Sequence, residues 1–168
     1  ELGFSRPFVD AEGREDTASF KLAFAADPRA PDVFFFACER VNAPAVDRSA
    51  LQRHENGVAR IKAITLAAAE PGDFAAFLQE VVRAPGTADG DGLVLAAANG
   101  DIRVRRIAAT NASPNPGLTL TGIVFGAKSL AAMREILEHH GVAHEVRDTH
   151  ISVAAAAGQG AEFIFEEL

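Results

Sequence analysis

LVLAAANGDIRVRRI, residues 93–107, and ISVAAAAGQGAEFIFEE, residues 151–167, decide the fold, because each reads as two apolar strands joined by a Gly-containing turn. Each also follows a segment of the same design. Ahead of the first lies a strand with Ile61, Ile64 and Leu66 and then a helix with Phe74, Phe77, Leu78 and Val81 on one face. Ahead of the second lie Leu120, Ile123 and Phe125, then Leu130, Met133, Ile136 and Leu137. Ile64 and Ile123, like Leu93 and Ile151, are offset by about 58 to 59 residues, the mark of a repeated supersecondary unit. The unit reads β-α-β-β-β, once over residues 57–110 and once over 118–168.

Working outward, Phe4–Val9, Thr17–Ala26 and Val33–Cys38 read as three strands, the middle one alternating Phe20, Leu22 and Phe24 with Ser19, Lys21 and Ala23. They match the last three strands of the unit. Residues 1–40 are therefore expected to be the remnant of an upstream module whose first strand and helix are missing. Residues 41–56, with Pro44, read as a connector, and Asn111–Gly117 as a linker. The expected class is α+β: repeated modules packed as one domain, forming curved mixed or antiparallel sheets with the helices on the convex face. Residues 84–92 read as a loop, and Asn99-Gly100 as a two-residue type I′ hairpin turn. Pro71 and Asp73 mark the start of the first helix; Ser129 caps the second, which His139 and His140 close ahead of Gly141.

Composition narrows the partners. A formal charge of −7 without a basic stripe gives no attraction to a phosphate backbone, so nucleic acid is not expected. No apolar run is long enough to span a bilayer, and the lone Cys38 has no internal disulfide partner, which suggests a reducing, cytoplasmic compartment. The half module leaves an unpaired sheet edge, and such edges invite pairing. A homodimer, or association with further N-terminal modules, is the expectation.

Repeated β-α-β-β-β modules resemble the vicinal oxygen chelate superfamily of glyoxalases, extradiol dioxygenases and bleomycin-resistance proteins. DPRAPDVFFFACER (27–40) followed by QRHENGVARIKAITLAAAEPGDFAAFL (52–78) resembles its glyoxalase-like domain proteins more narrowly. Those have a Phe-Phe-x-Cys-Gln-His run, a Trp-containing connector and His-x-Asn-Gly. This chain has Cys38-Glu39-Arg40, no Trp, and His54-Glu55-Asn56-Gly57. The resemblance implies a small-molecule ligand in a cup between paired modules. In metal-dependent members it also implies a His on the first strand of a module and a Glu on the last. The matching first-strand positions here are Ala63 and Gly122, which bind no metal, and the last strands offer Arg103 or Arg105 and Glu162 or Glu166.

Two functions follow. A metal-free binding module would use His54, Asn56, Arg103, Arg105, His150 and Glu162, with small residues at positions 63 and 122 leaving room for a ligand. A glyoxalase-like or dioxygenase-like enzyme would need a divalent metal, for which His54, His150 and Glu166 (or Glu162) are the available set. Each residue has a plainer reading. Arg103 and Arg105 also suit a solvated strand face with cross-strand ion pairs, and His54 a hydrogen bond to its own turn. Cys38 suits a small buried hydrophobe, with a neighbouring Arg40 that would favour a thiolate.

Overall fold

A computed structural model of the chain describes residues 2–10, 12–43, 49, 53–108 and 117–168. Most of the connector's middle, and the linker except Gly117, lie outside these residues. The chain forms two compact units, Glu1–Leu51 and Gln52–Leu168.

The first unit is a three-stranded antiparallel sheet of β1 (Leu2–Val9), β2 (Glu15–Ala26) and β3 (Phe34–Asn42) in the order β1-β2-β3. The alternation in β2 sets its faces: Phe20 lies opposite Phe4, Leu22 opposite Leu2 and Cys38, and Phe24 opposite Phe36. Phe4 and Phe20 stack at 5.0 Å, and Phe24 lies 6.0 Å and 5.8 Å from Phe34 and Phe36. These rings pack on one another yet stay open to solvent, with Phe24, Phe34 and Phe36 between 52% and 59% exposed. Cys38 shares that face and is exposed, not buried as its apolar neighbours suggested. The turn after β2 is closed by Asp27, whose carboxylate accepts from the backbone N–H and guanidinium of Arg29. Those bonds lower the Asp27 pKa to about 2.

The second unit holds one eight-stranded mixed sheet in the order β5-β6-β7-β4-β8-β11-β10-β9. Its elements run β4 (Val58–Ala68), a 3-10 turn (Pro71–Phe74), α1 (Ala75–Val82), β5 (Gly86–Asp89), β6 (Gly92–Ala97) and β7 (Gly100–Arg106). Then come β8 (Thr119–Ala127), α2 (Leu130–His139), β9 (Glu145–Val146), β10 (His150–Val153) and β11 (Glu162–Glu167). β4 pairs parallel with β7 and β8 parallel with β11, while β4 and β8 join antiparallel at the centre.

One face of this sheet is apolar. Phe165 and Ile151 pack with Met133 and Leu137 of α2, and α1, with Leu78 fully buried, lies against β5 and β6. Pro71 sits at the start of the 3-10 turn, and α1 ends at Arg83, a non-glycine residue in the left-handed region at φ 53°. Ser129 accepts the Ala132 N–H at 3.2 Å, capping α2 as its position suggests.

Two local expectations need correction. Residues 86–89, read as loop, are strand β5, because their backbone pairs with β6 from Gly86–Leu95 to Asp89–Gly92 despite having no apolar alternation. The β6–β7 turn consists of Ala98 and Asn99, since Ala97 already pairs with Gly100, and neither turn residue has positive φ, so it is not type I′. Gly100 serves packing instead: a Cβ there would lie 3.1 Å from the Lys62 carbonyl oxygen. Gly92 is tighter still, with a hypothetical Cβ 2.5 Å from the Val104 oxygen. Gly92→Ala is expected to force β6 and β7 apart and destabilise the second unit by about 1–3 kcal/mol, read as a lower urea midpoint at unchanged slope.

Candidate functional site

The face of the eight-stranded sheet opposite the helices is polar, and the register dictates it. Ile64, Leu66, Ile102 and Val104 turn toward the helices, so their neighbours Thr65, Arg103 and Arg105 take the other face. On the far side Phe163 and Phe165 face α2, which puts Glu162, Ile164 and Glu166 with Arg103 and Arg105. Cross-strand pairing adds His150 opposite Glu166 and Ser152 opposite Ile164.

These residues surround a cavity of about 610 Å³ whose polar lining includes Arg103, Arg105, His144, His150, Glu162 and Glu166. At its floor the Arg103 guanidinium meets the Glu166 carboxylate, Nη1 to Oε1 at 2.7 Å, and Lys62 Nζ reaches Glu166 Oε2 at 3.1 Å. Lys62 also donates to the Glu167 carbonyl at 2.6 Å. Burial pushes the Glu166 carboxyl up, but hydrogen bonds from Arg103 and Lys62 outweigh it and hold its pKa below the usual range. The hydrogen bond to Glu166 raises the Arg103 pKa in turn. Arg105 and Glu162 line the same cavity but make no ion pair with any described residue.

Four of the six expected ligand residues, Arg103, Arg105, His150 and Glu162, therefore share one cavity. His54 and Asn56 do not. They sit on the opposite side of the sheet beside Val58, Phe125, Phe163 and Phe165. His54 thus cannot join His150 and Glu166 around one ion, because the sheet separates them.

The positions where a chelated metal would find imidazoles do not fit one either. Ala63 is buried with Val124 and Ile164, and a Cβ on Gly122 would stand 3.0 Å from Glu162 Cγ. The room expected at these small residues is thus filled by Ile164 and Glu162 rather than left open. Among the described residues no group of three or more His, Cys, Asp or Glu side chains is placed to hold a metal ion. His144 and Ser152 also line the cavity, and Lys62 bears on it through Glu166; none of the three was among the expected site residues. Lys62 alone left a signal, as a charge inside the otherwise apolar run around Ile61 and Ile64.

Residues 1–82 match the family model described as a glyoxalase-like domain. Among solved structures, methylmalonyl-CoA epimerase from Mycobacterium tuberculosis has the same fold, with a TM-score of 0.52 at 14% identity over 68% of this chain and 91% of that one. A variant of the Streptomyces coelicolor methylmalonyl-CoA epimerase in complex with 2-nitronate-propionyl-CoA gives 0.45 at 13% identity, over 66% of this chain and 99% of that one. No curated protein matches the chain. Residues 1–82 thus resemble a glyoxalase-like domain, and the chain shares the epimerase's fold over 68% of its length.

Because Glu166 is held below its ordinary pKa in the fold, it adds stability above about pH 4.3 that is lost as pH falls through its folded value. Glu166→Gln removes this linkage. Urea midpoints measured from pH 7 to pH 3 are expected to fall less steeply in the variant, the two curves converging at the acid end.

Proposed function

We propose that the polar cavity binds a small metabolite bearing both an anionic and a cationic or donor group, without a metal ion. The observation that carries this is the contrast within one cavity. Glu166 is paired with Arg103 and Lys62, whereas Arg105 and Glu162 have no ion-pair partner among the described residues. A guanidinium offers a carboxylate two parallel hydrogen bonds, and Glu162 accepts from an ammonium or hydroxyl group. His150 and Ser152 supply further hydrogen-bonding groups on the same wall. A metal-dependent lyase or oxidoreductase reading has no converging imidazoles to support it, and the fold alone does not separate binding from catalysis.

A thermal-shift screen of amino acids, hydroxy acids and dicarboxylates tests the proposal. A true ligand at about 100 times its Kd adds roughly 2.7 kcal/mol, or about 5–10 °C for a chain of this size. Arg105→Ala is expected to abolish most of that shift while leaving the unliganded Tm within about 1 °C, since an unpaired exposed arginine contributes little to stability. Silence across the set, or an unchanged shift in Arg105→Ala, contradicts the assignment.

We further propose that the chain self-associates through its first unit. The support is the open face of Leu2, Phe4, Phe24, Phe34 and Phe36, each at least 45% exposed, on a sheet of only three strands. An apolar patch of this kind marks an interaction surface. Light scattering is expected to give twice the mass of the 168-residue chain, and Phe36→Glu to return it to one. A clean monomer at micromolar concentration contradicts it.

A further inference from the structure

The helix-bearing face of the eight-stranded sheet has a concavity of its own, about 270 Å³, lined by His54, Asn56, Val58, Phe125, Phe163 and Phe165. Phe125 meets Phe163 edge-on at 5.4 Å and stacks with Phe165 at 5.7 Å, which makes a firm aromatic floor.

The polar rim is fixed by its own turn. The Gly57 N–H donates to the His54 carbonyl at 3.1 Å, and Gly57 sits at φ +69°, a conformation that glycine adopts without strain. The Lys128 N–H donates to the Gly57 carbonyl at 3.2 Å, tying the turn to the end of β8. Within it, Asn56 N–H donates to His54 Nδ1 at 3.4 Å and Val58 N–H to Asn56 Oδ1 at 3.1 Å.

These bonds settle what the rim offers. A neutral imidazole that accepts at Nδ1 carries its proton on Nε2, and an asparagine whose oxygen is engaged presents its NH₂. The rim therefore offers donors at His54 Nε2 and Asn56 Nδ2. A cavity of about 150 Å³ accepts benzene, so this one has room for a single ring with a short substituent.

We propose that this concavity is a second ligand site, taking single-ring aromatic carbonyl compounds. The ring rests on Phe125, Phe163 and Phe165, and the carbonyl oxygen accepts from His54 Nε2 and Asn56 Nδ2. The site is independent of the charged cavity, from which the sheet divides it.

Ligand-observed NMR on the whole chain tests it with acetophenone as the probe, phenethylamine as a ring of similar size that lacks a carbonyl, and benzoate as the charged acceptor. Acetophenone and benzoate are expected to bind several-fold more tightly than phenethylamine. His54→Ala, at an exposed residue, is expected to weaken acetophenone on the order of fivefold. Arg105→Ala is expected to leave acetophenone binding unchanged even where it abolishes binding of charged metabolites. Equal binding of acetophenone and phenethylamine, no effect of His54→Ala, loss of acetophenone binding in Arg105→Ala, or no binding at the probe's solubility limit would each overturn the proposal.

Discussion

The antiparallel seam between β4 and β8 is the constraint on which the rest of the second unit depends. It joins two strand-helix-strand-strand-strand runs edge to edge, so that β7 and β11, which pair parallel with β4 and β8, flank the seam on either side. The register along the seam is interrupted between Val58 and Arg60, Ile61 and Ala63, and Thr65 and Leu66, and such irregularities increase bend and twist. Arg103 lies level with Thr65, Gly122 and Glu162. In a flat sheet, three strand spacings would separate β7 from β11 by about 14 Å, and Glu166 would stand about 13 Å further along its strand. A 2.7 Å contact between Arg103 and Glu166 therefore requires a strongly curled sheet.

Curling a two-faced sheet gives each face a different chemistry. The outer face spends its apolar side chains on the helices, with Met133, Leu137, Ile151 and Phe165 as one cluster. The inner face collects the alternate positions, which in β7 and β11 are charged except for Ile164, and the charges partly cancel at the floor. Glycines at 122 and 126 let the seam carry the long side chains that cross it. A Cβ on Gly126 would lie 3.1 Å from Lys62 Cγ and 2.7 Å from a Leu168 methyl carbon. The space next to the seam is thus taken by Lys62, Glu162 and Leu168, and the cavity opens toward β9 and β10 instead.

Much of this architecture was legible in residue patterns. Strands such as IRVRRI and EFIFEE alternate cleanly, so both their existence and their inward residues follow from a period of two. The strand GTAD left no such trace, because its place in the sheet comes only from backbone pairing with β6. Asn99-Gly100 carries a common hairpin signature, yet the pairing of Ala97 with Gly100 shifts the turn by one residue, and the glycine is needed for approach to Lys62. Arg103, Arg105, His150 and Glu162 line one cavity because all lie on or beside regular strands, whose alternation places them on one face. The side of the sheet that His54 joins is not legible in the sequence, because the turn before β4 has no period and the packing of Val58 and Phe125 decides it.

A double-mutant cycle on Arg103→Ala and Glu166→Ala tests the curled sheet most directly, since the two residues lie on β7 and β11, which the two strands of the seam separate. The account predicts a favourable coupling of about 0.5–1.5 kcal/mol in unfolding free energy. Additive effects, within about 0.3 kcal/mol, would contradict it.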